Sequence, residues 1–286
     1  MKNHESKQIE KILNNLKIRK QDNIYLGVDL MKFSLNLRSN LNFDELSNLI
    51  LKILLKKIGK GGTLVIPVFN FDCIHEGKFS RKKTLSQCGA FGNFLLKKYY
   101  RNRSSHPMYS FLFFGNKSKY YINKNDGNAF AINSCWKNFI DEDYKMITLG
   151  HHYGRSFTIA HYLERISSVS YRFDKNFKLN YSDFNNSKKN KEYQIFARKL
   201  NKCKFSAITK VCDSTLRKKK IFIFYKYKKL ICFNLGLKKS CKLILDNLKK
   251  NKPIFLDYIH TNNKNINKVL NDKNIFELEQ FYQSKY

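Results

Sequence analysis

Apolar positions along this chain recur with two different periods, and the periods alternate. Ile9, Ile12, Leu13 and Leu16 fall at helical spacing, so residues 5–18 are predicted to form an amphipathic helix. Asn23 to Val28 is short and apolar, as a buried strand would be. Asn42 is a good helix N-cap and Glu45 follows three residues later, a near capping box. Leu46, Leu49, Ile50, Ile53 and Leu54 then line one helix face until Gly59 stops it. Thr63 to Pro67 is a β-branched run suited to a buried strand. Phe91 to Tyr100 is predicted as a helix, and Met108 to Phe114 and Met146 to Leu149 as further strands.

A polar run from Asn180 to Lys191 interrupts the pattern and is predicted as a loop. Beyond it, Tyr193 to Leu200 and Lys220 to Lys228 are predicted as strands and Leu237 to Lys249 as a helix. Strands alternating with helices argue for an α/β class: a compact, three-layer-like fold with a central mixed sheet flanked by helices. No internal repeat is visible. The expected organisation is a single domain over 1–286, with a weak internal boundary near 180 and a loosely attached tail from Asn262.

Composition narrows the class. Hydrophobic residues make up 42% and aromatics 15% of 286 residues, enough for a sizeable core and too many for a disordered chain. No apolar run approaches the length that crosses a bilayer. Met1 to Glu10 is polar and carries no signal-peptide pattern, so a cytoplasmic location is expected. The seven cysteines, at 73, 88, 135, 203, 212, 232 and 241, contain no Cys-x-x-Cys pair, and reduced buried thiols are expected.

The formal charge of +33 points to anionic partners. Its lysines and arginines are spread along the chain rather than gathered in a tract, and no nucleic-acid module accompanies them. The charge fits anionic small ligands such as acyl-CoA or a nucleotide-sugar.

Candidate chemistry concentrates after the strand ending at Leu149. A turn, Leu149-Gly-His-His-Tyr-Gly154, leads to Thr158-Ile-Ala-His161-Tyr-Leu-Glu164. A helix is expected to start near Ser156, an N-cap residue type. Thr158, His161 and Glu164 recur every three residues and would share a helix face. A histidine there can act as a base, and a carboxylate three residues on can fix its tautomer. The same histidine could equally be structural, and Glu164 could be a solvated residue paired with Arg165 or Lys175. Asp29, Lys32 and Phe33 follow the first strand, where α/β sheets form ligand crevices; Lys32 could meet a CoA phosphate.

Thr158-x-x-His161-x-x-Glu164 after a Leu-Gly turn resembles the signature of the aminoglycoside 3-N-acetyltransferase family. Further pieces occur in the family's order. They are Asp22-Asn-Ile-Tyr-Leu26, Asp29-Leu-Met-Lys-Phe33, Gly62-Thr-Leu-Val-Ile-Pro67, Gly89-Ala90, Arg103-Ser-Ser-His106-Pro107, Ser110-x-x-x-x-Gly115 and Val169-Ser-Tyr-Arg172-Phe-Asp-Lys175. The resemblance covers roughly the first two-thirds of the chain and is nearest to members associated with surface-polysaccharide sugars. It implies an acetyl-CoA-dependent N-acetyltransferase without a metal, with His161 as general base and Glu164 orienting it. It also implies an acyl-donor cleft lined by Ser104, His106 and Ser110, with Thr158 nearby. The acceptor implied is an amino sugar, nucleotide-linked and destined for a surface glycan.

Two departures stand out. Gly27-Val28 replaces the His-Ser or Ser-Ser more usual just ahead of Asp29, and Asn128-Ala-Phe-Ala131 replaces an Ala-Phe-Gly. His151 and His152 are additional, and could bind sugar hydroxyls or, with Cys73 and His75, a metal. Cys88 or Cys135 is an alternative acyl-accepting nucleophile. At the level of function the rivals are an aminoglycoside antibiotic acetyltransferase and a basic nucleic-acid-binding protein with a degenerate site.

Overall fold

A computed structural model describes residues 2–124, 127–199, 206–208, 210–249 and 256–258. The tail from Asn262, the Leu200 end of one predicted strand, and Cys203 lie outside the described residues.

Helix α1 (Lys2–Asn15) leads into strand β1 (Asn23–Val28). Helix α2 (Leu30–Leu37) follows at once, its N-terminus capped by the Asp29 carboxylate, which accepts from the Lys32 N–H. Helix α3 (Phe43–Ile58) carries the full capping box of Asn42 and Glu45, and ends at Gly59. Then come β2 (Thr63–Pro67), the short α4 (Cys73–Glu76), β3 (Lys78–Ser80), α5 (Ala90–Tyr99) and β4 (Phe111–Gly115). Helices α6 (Ser118–Asn123) and α7 (Cys135–Asp141) precede β5 (Lys145–Leu149).

Helix α8 (Ala160–Ile166) is followed by a long hairpin, β6 (Arg172–Ser182) and β7 (Lys188–Arg198). The remaining elements are β8 (Ser206–Ile208), α9 (Lys210–Lys218), β9 (Phe222–Tyr227), β10 (Leu230–Gly236), α10 (Leu237–Lys249) and β11 (Leu256–Tyr258).

The central sheet has the order β4-β2-β1-β5-β10-β9. Strands β2, β1 and β5 run parallel, and the others pair antiparallel, so the sheet is mixed as expected. Alternate residues of each strand feed opposite cores. Ile24, Leu26, Leu64, Ile66 and Ile147 face α1, α2, α3 and α5. Tyr25, Val65, Met146, Phe233 and Leu235 face α7, α8, α10 and the hairpin.

The polar run from Asn180 to Lys191 is not a loop. It forms the end of β6, a short turn, and the start of β7, paired from Arg172↔Arg198 to Ser182↔Lys188. Strand β6 runs through residue 180 without a break. Its inward residues Phe177, Leu179 and Tyr181 are buried, while Lys178 and Asn180 face solvent. Lysines on the outer face do not oppose strand formation, because only one face is covered. Among the described residues no helix is long and apolar enough to cross a membrane.

Candidate active site

The parallel strands β1, β2 and β5 end on the same side of the sheet, and their C-terminal connections carry Asp29, Phe69–Phe71 and Gly150–Ser156. Asp29 N–H donates to the Leu149 carbonyl at 2.9 Å, which ties the connection after β1 to the end of β5. Gly150, at φ +96°, lies so close to Asp29 that an added Cβ would stand 3.0 Å from the Asp29 Cβ. The connections after β1 and β5 are thus packed against each other at the strand ends, and α8 follows the second of them.

Helix α8 begins later than the sequence pattern implies. Tyr153–Ser156 forms a 3-10 turn, and the helix starts at Ala160 with no side-chain cap from Ile159. Ser156 is therefore not the N-cap, and Thr158 precedes the helix instead of sharing its face. The Thr158 side chain lies against the buried Tyr25 phenol. His161 sits in the first turn, with its N–H bonded to the Thr158 carbonyl at 3.1 Å.

His161 and Glu164 meet as their spacing predicts. His161 Nδ1 lies 3.1 Å from Glu164 Oε2, so Nδ1–H donates and Nε2 is left as the basic atom. The His161 side chain is 26% exposed and that of Glu164 is wholly buried. Glu164 pairs with neither Arg165 nor Lys175. Its partners are Arg172, whose Nε stands 2.6 Å from Oε2, and the Tyr171 hydroxyl, which donates to Oε1 at 3.0 Å. Arg165 instead holds Asp174 through two 2.9 Å contacts.

The electrostatics favour a neutral ring beside an ionised carboxylate. Burial and then the Arg172 charge lower the His161 pKa below its usual 6.5, against the opposing pull of Glu164. Burial alone would raise Glu164. The His161 bond, Arg172 and the Tyr171 hydroxyl outweigh it, and the carboxyl is held below its ordinary range. Phe130 meets the His161 ring edge-on at 5.6 Å.

His161 lines an open cleft of about 950 Å³. Phe71, Met108 and Tyr109 form part of its wall, and the hairpin supplies much of the rest. Sequence reasoning missed this wall and the Arg172–Tyr171 support of Glu164. The signal available was Tyr171-Arg172-Phe173, a polar and aromatic start to a strand directly after the His helix.

The residues expected to hold the donor are not all brought together. Asp29 and Lys32 stand at the strand edge, joined by a 3.6 Å ion pair. Phe33, by contrast, is fully buried in the core beneath α2. Ser110 is buried too, because its hydroxyl donates to the Val68 carbonyl and accepts from Arg103 Nε. Arg103 is itself wholly buried, and its guanidinium also reaches the carbonyls of Val68 and Thr84.

Ser104 and His106 line a narrow, largely enclosed space of about 10 Å³ and not the open cleft, with room for no more than about one water. Ser104 accepts from the Phe111 N–H, and His106 Nδ1 from the Tyr109 N–H. Burial drives the His106 pKa down to about 3, which keeps the ring neutral.

The additional histidines are engaged by the fold. His152 Nδ1 accepts from the Gly154 N–H, so Nε2–H donates to Asp213, which also accepts from the Tyr153 hydroxyl at 2.7 Å. His151 donates from Nδ1 to the His152 carbonyl, and its ring lies over Gly27. A Cβ at Gly27 would meet His151 Nε2 at 3.0 Å and Ser156 Oγ at 2.5 Å. The glycine that departs from the family pattern thus makes room for a histidine that the pattern lacks. Among the described residues no group of three His, Cys, Asp or Glu side chains is arranged to hold a metal. Cys135 is buried. Cys88 is exposed, but desolvation of its thiol raises the pKa, away from a thiolate nucleophile.

A family model described as aminoglycoside 3-N-acetyltransferase matches residues 36–223. The chain belongs to this family. It is an acetyl-CoA-dependent N-acetyltransferase. Solved structures share the family's fold. Aminoglycoside acetyltransferase AAC(3)-IIb superposes with a TM-score of 0.68 at 14% identity, over 86% of this chain and 97% of that one. AAC-IIIb in binary complex with CoASH gives 0.68 at 12%, over 86% and 97%. AAC-VIa bound to sisomicin gives 0.68 at 12%, over 86% and 98%. No curated protein matches the sequence.

Proposed function

We propose that this member of the family acetylates the amine of an amino sugar, nucleotide-linked and destined for a surface glycan. Transfer is direct, with His161 as general base and no acyl-enzyme. The observation that carries the reading is the His161–Glu164 pair at the edge of the 950 Å³ cleft. The acceptor amine gives a proton to His161 Nε2 as its nitrogen attacks the thioester carbonyl. Glu164 holds the ring and stabilises the imidazolium that forms. The carbon–sulfur bond then breaks, and the departing CoA sulfur takes the proton back from Nε2.

Acetyl-CoA as donor is supported by the family and by the CoASH complex of AAC-IIIb. Asp29, Lys32 and Thr158 at the strand edge are the donor contacts in this reading. Phe33, Ser104, His106 and Ser110 are buried and make no donor contact in this reading.

The sisomicin complex of AAC-VIa raises the rival reading of a polycationic antibiotic acceptor. The charge argues against it here. The chain carries +33, and among the described residues no carboxylate lines the cleft. A polycation is repelled at long range and meets no carboxylate on the described walls of the cleft.

His161→Asn keeps polarity and removes basicity. Acetyl transfer, read as thiol release, should fall by about 10²–10⁴-fold. Acetyl-CoA should still raise the melting temperature of the variant as it does that of the wild type. Near-normal turnover by a folded His161→Asn protein would refute the assignment.

A further inference from the structure

The hairpin register places two arginines face to face. Arg172 on β6 pairs directly with Arg198 on β7. Like charges directly opposite each other on a sheet are destabilising, and both side chains line the His161 cleft. Glu164 neutralises Arg172. Lys175 and Lys199 line the same wall, so among the described residues four cations and no carboxylate border the space. Asp174, the nearby acid on β6, is taken by Arg165. The Lys199 N–H bonds to the Tyr171 carbonyl at 2.9 Å, which fixes the end of this cationic strip against the start of β6.

Aromatic rings flank the cations. Phe173 is 41% exposed and Phe71 is 42% exposed, both at the cleft. Phe173 lies opposite Ala197, a side chain too short to cover its ring. Phe71 is held edge-on by Phe69 and Tyr109. Cations beside open aromatic faces suit a ligand with a phosphate group and a flat base.

We infer that the hairpin wall is a recognition site for the nucleoside diphosphate of the acceptor, with Arg198, Lys175 and Lys199 on the phosphates and Phe173 beneath the base. The inference deepens the acceptor reading above and rests on it. It adds which groups read the acceptor and places them on the hairpin rather than on the central sheet. A diphosphate also occurs in CoA, so the same chemistry has two sources, and the test must separate them.

Calorimetric titration of uridine diphosphate, and separately of CoA, into the wild type and Arg198→Glu/Lys199→Glu does so. Uridine diphosphate should bind the wild type and lose about 10–100-fold in affinity in the double variant, as expected for lost charge-assisted contacts. CoA affinity should stay within about twofold. Equal uridine diphosphate binding in both proteins, or none in the wild type, would overturn the inference. So would a loss of CoA affinity that matches the loss for uridine diphosphate, because the wall would then read the donor. Phe173→Ala, which leaves the charges in place, should weaken uridine diphosphate more than inorganic pyrophosphate; an equal effect on both would remove the base from the proposal. Thiol release with free amino sugars is measured alongside, so that failure of the acetyl-transfer reading shows separately from failure of the wall.

Discussion

Glu164 shares one oxygen, Oε2, between the His161 ring and the Arg172 guanidinium. The carboxylate can hold the imidazole while the arginine keeps that carboxylate ionised. The same arginine charge works against protonation of the ring. In the proposed mechanism the working base is the neutral imidazole, so turnover should fall as pH drops through the His161 pKa, which lies below 6.5. Arg172→Gln removes a cation that disfavours the imidazolium. The acid limb of kcat/KM should therefore move to higher pH, whatever the variant costs in overall rate. A limb that stays in place or moves down would contradict this coupling. His161 and Glu164 were legible because three residues along a helix is a local relation. Arg172 was not, because it reaches Glu164 from the next strand. The burial of Phe33 and Ser110 was not legible for a related reason: a strand end shows where a crevice can open, not which side chains turn into the core.

The hairpin of β6 and β7 is the element on which the sequence and the structure differ most. Phe177, Leu179 and Tyr181 carry the period of two that marks a strand, but the run of Asn, Ser and Lys after them reads as solvent-exposed chain. It is solvent-exposed chain that is also paired, since one face covers the core and the other needs only polarity. Strands β1, β2, β5 and β9 and helices α3, α5 and α10 were legible within a residue or two, because apolar runs and caps bounded them, whereas helices α2, α4, α6, α7 and α9 carry too short or too polar a pattern to read. Strand β10 was passed over between a predicted strand and a predicted helix, although it supplies the antiparallel partner of β5. The hairpin turn offers a test. Asn186 lies at φ +58°, a region that β-branched residues avoid. Asn186→Gly should leave stability nearly unchanged. Asn186→Val should cost about 1–2 kcal/mol by denaturant titration. Equal stability of the two variants would mean that the turn is not formed as described.

The whole molecule combines a shared fold with an unusual charge. The fold of the aminoglycoside acetyltransferases is retained at 12–14% identity to the solved structures described above. Such retention is expected where a packed core tolerates substitution as long as pattern and volume are kept. The charge of +33 is carried into the cleft itself, where cations line the hairpin wall. Long-range potential and local lining both suit the anionic acceptor proposed above, and raised salt should slow its capture. One measurement tests this most directly: thiol release from acetyl-CoA, for the wild type and His161→Asn, with a UDP-linked amino sugar and with kanamycin as competing classes of acceptor. The account predicts faster wild-type turnover of the nucleotide-linked sugar and loss of that turnover in His161→Asn. Faster turnover of kanamycin, or turnover of the sugar that survives the loss of His161, would contradict it.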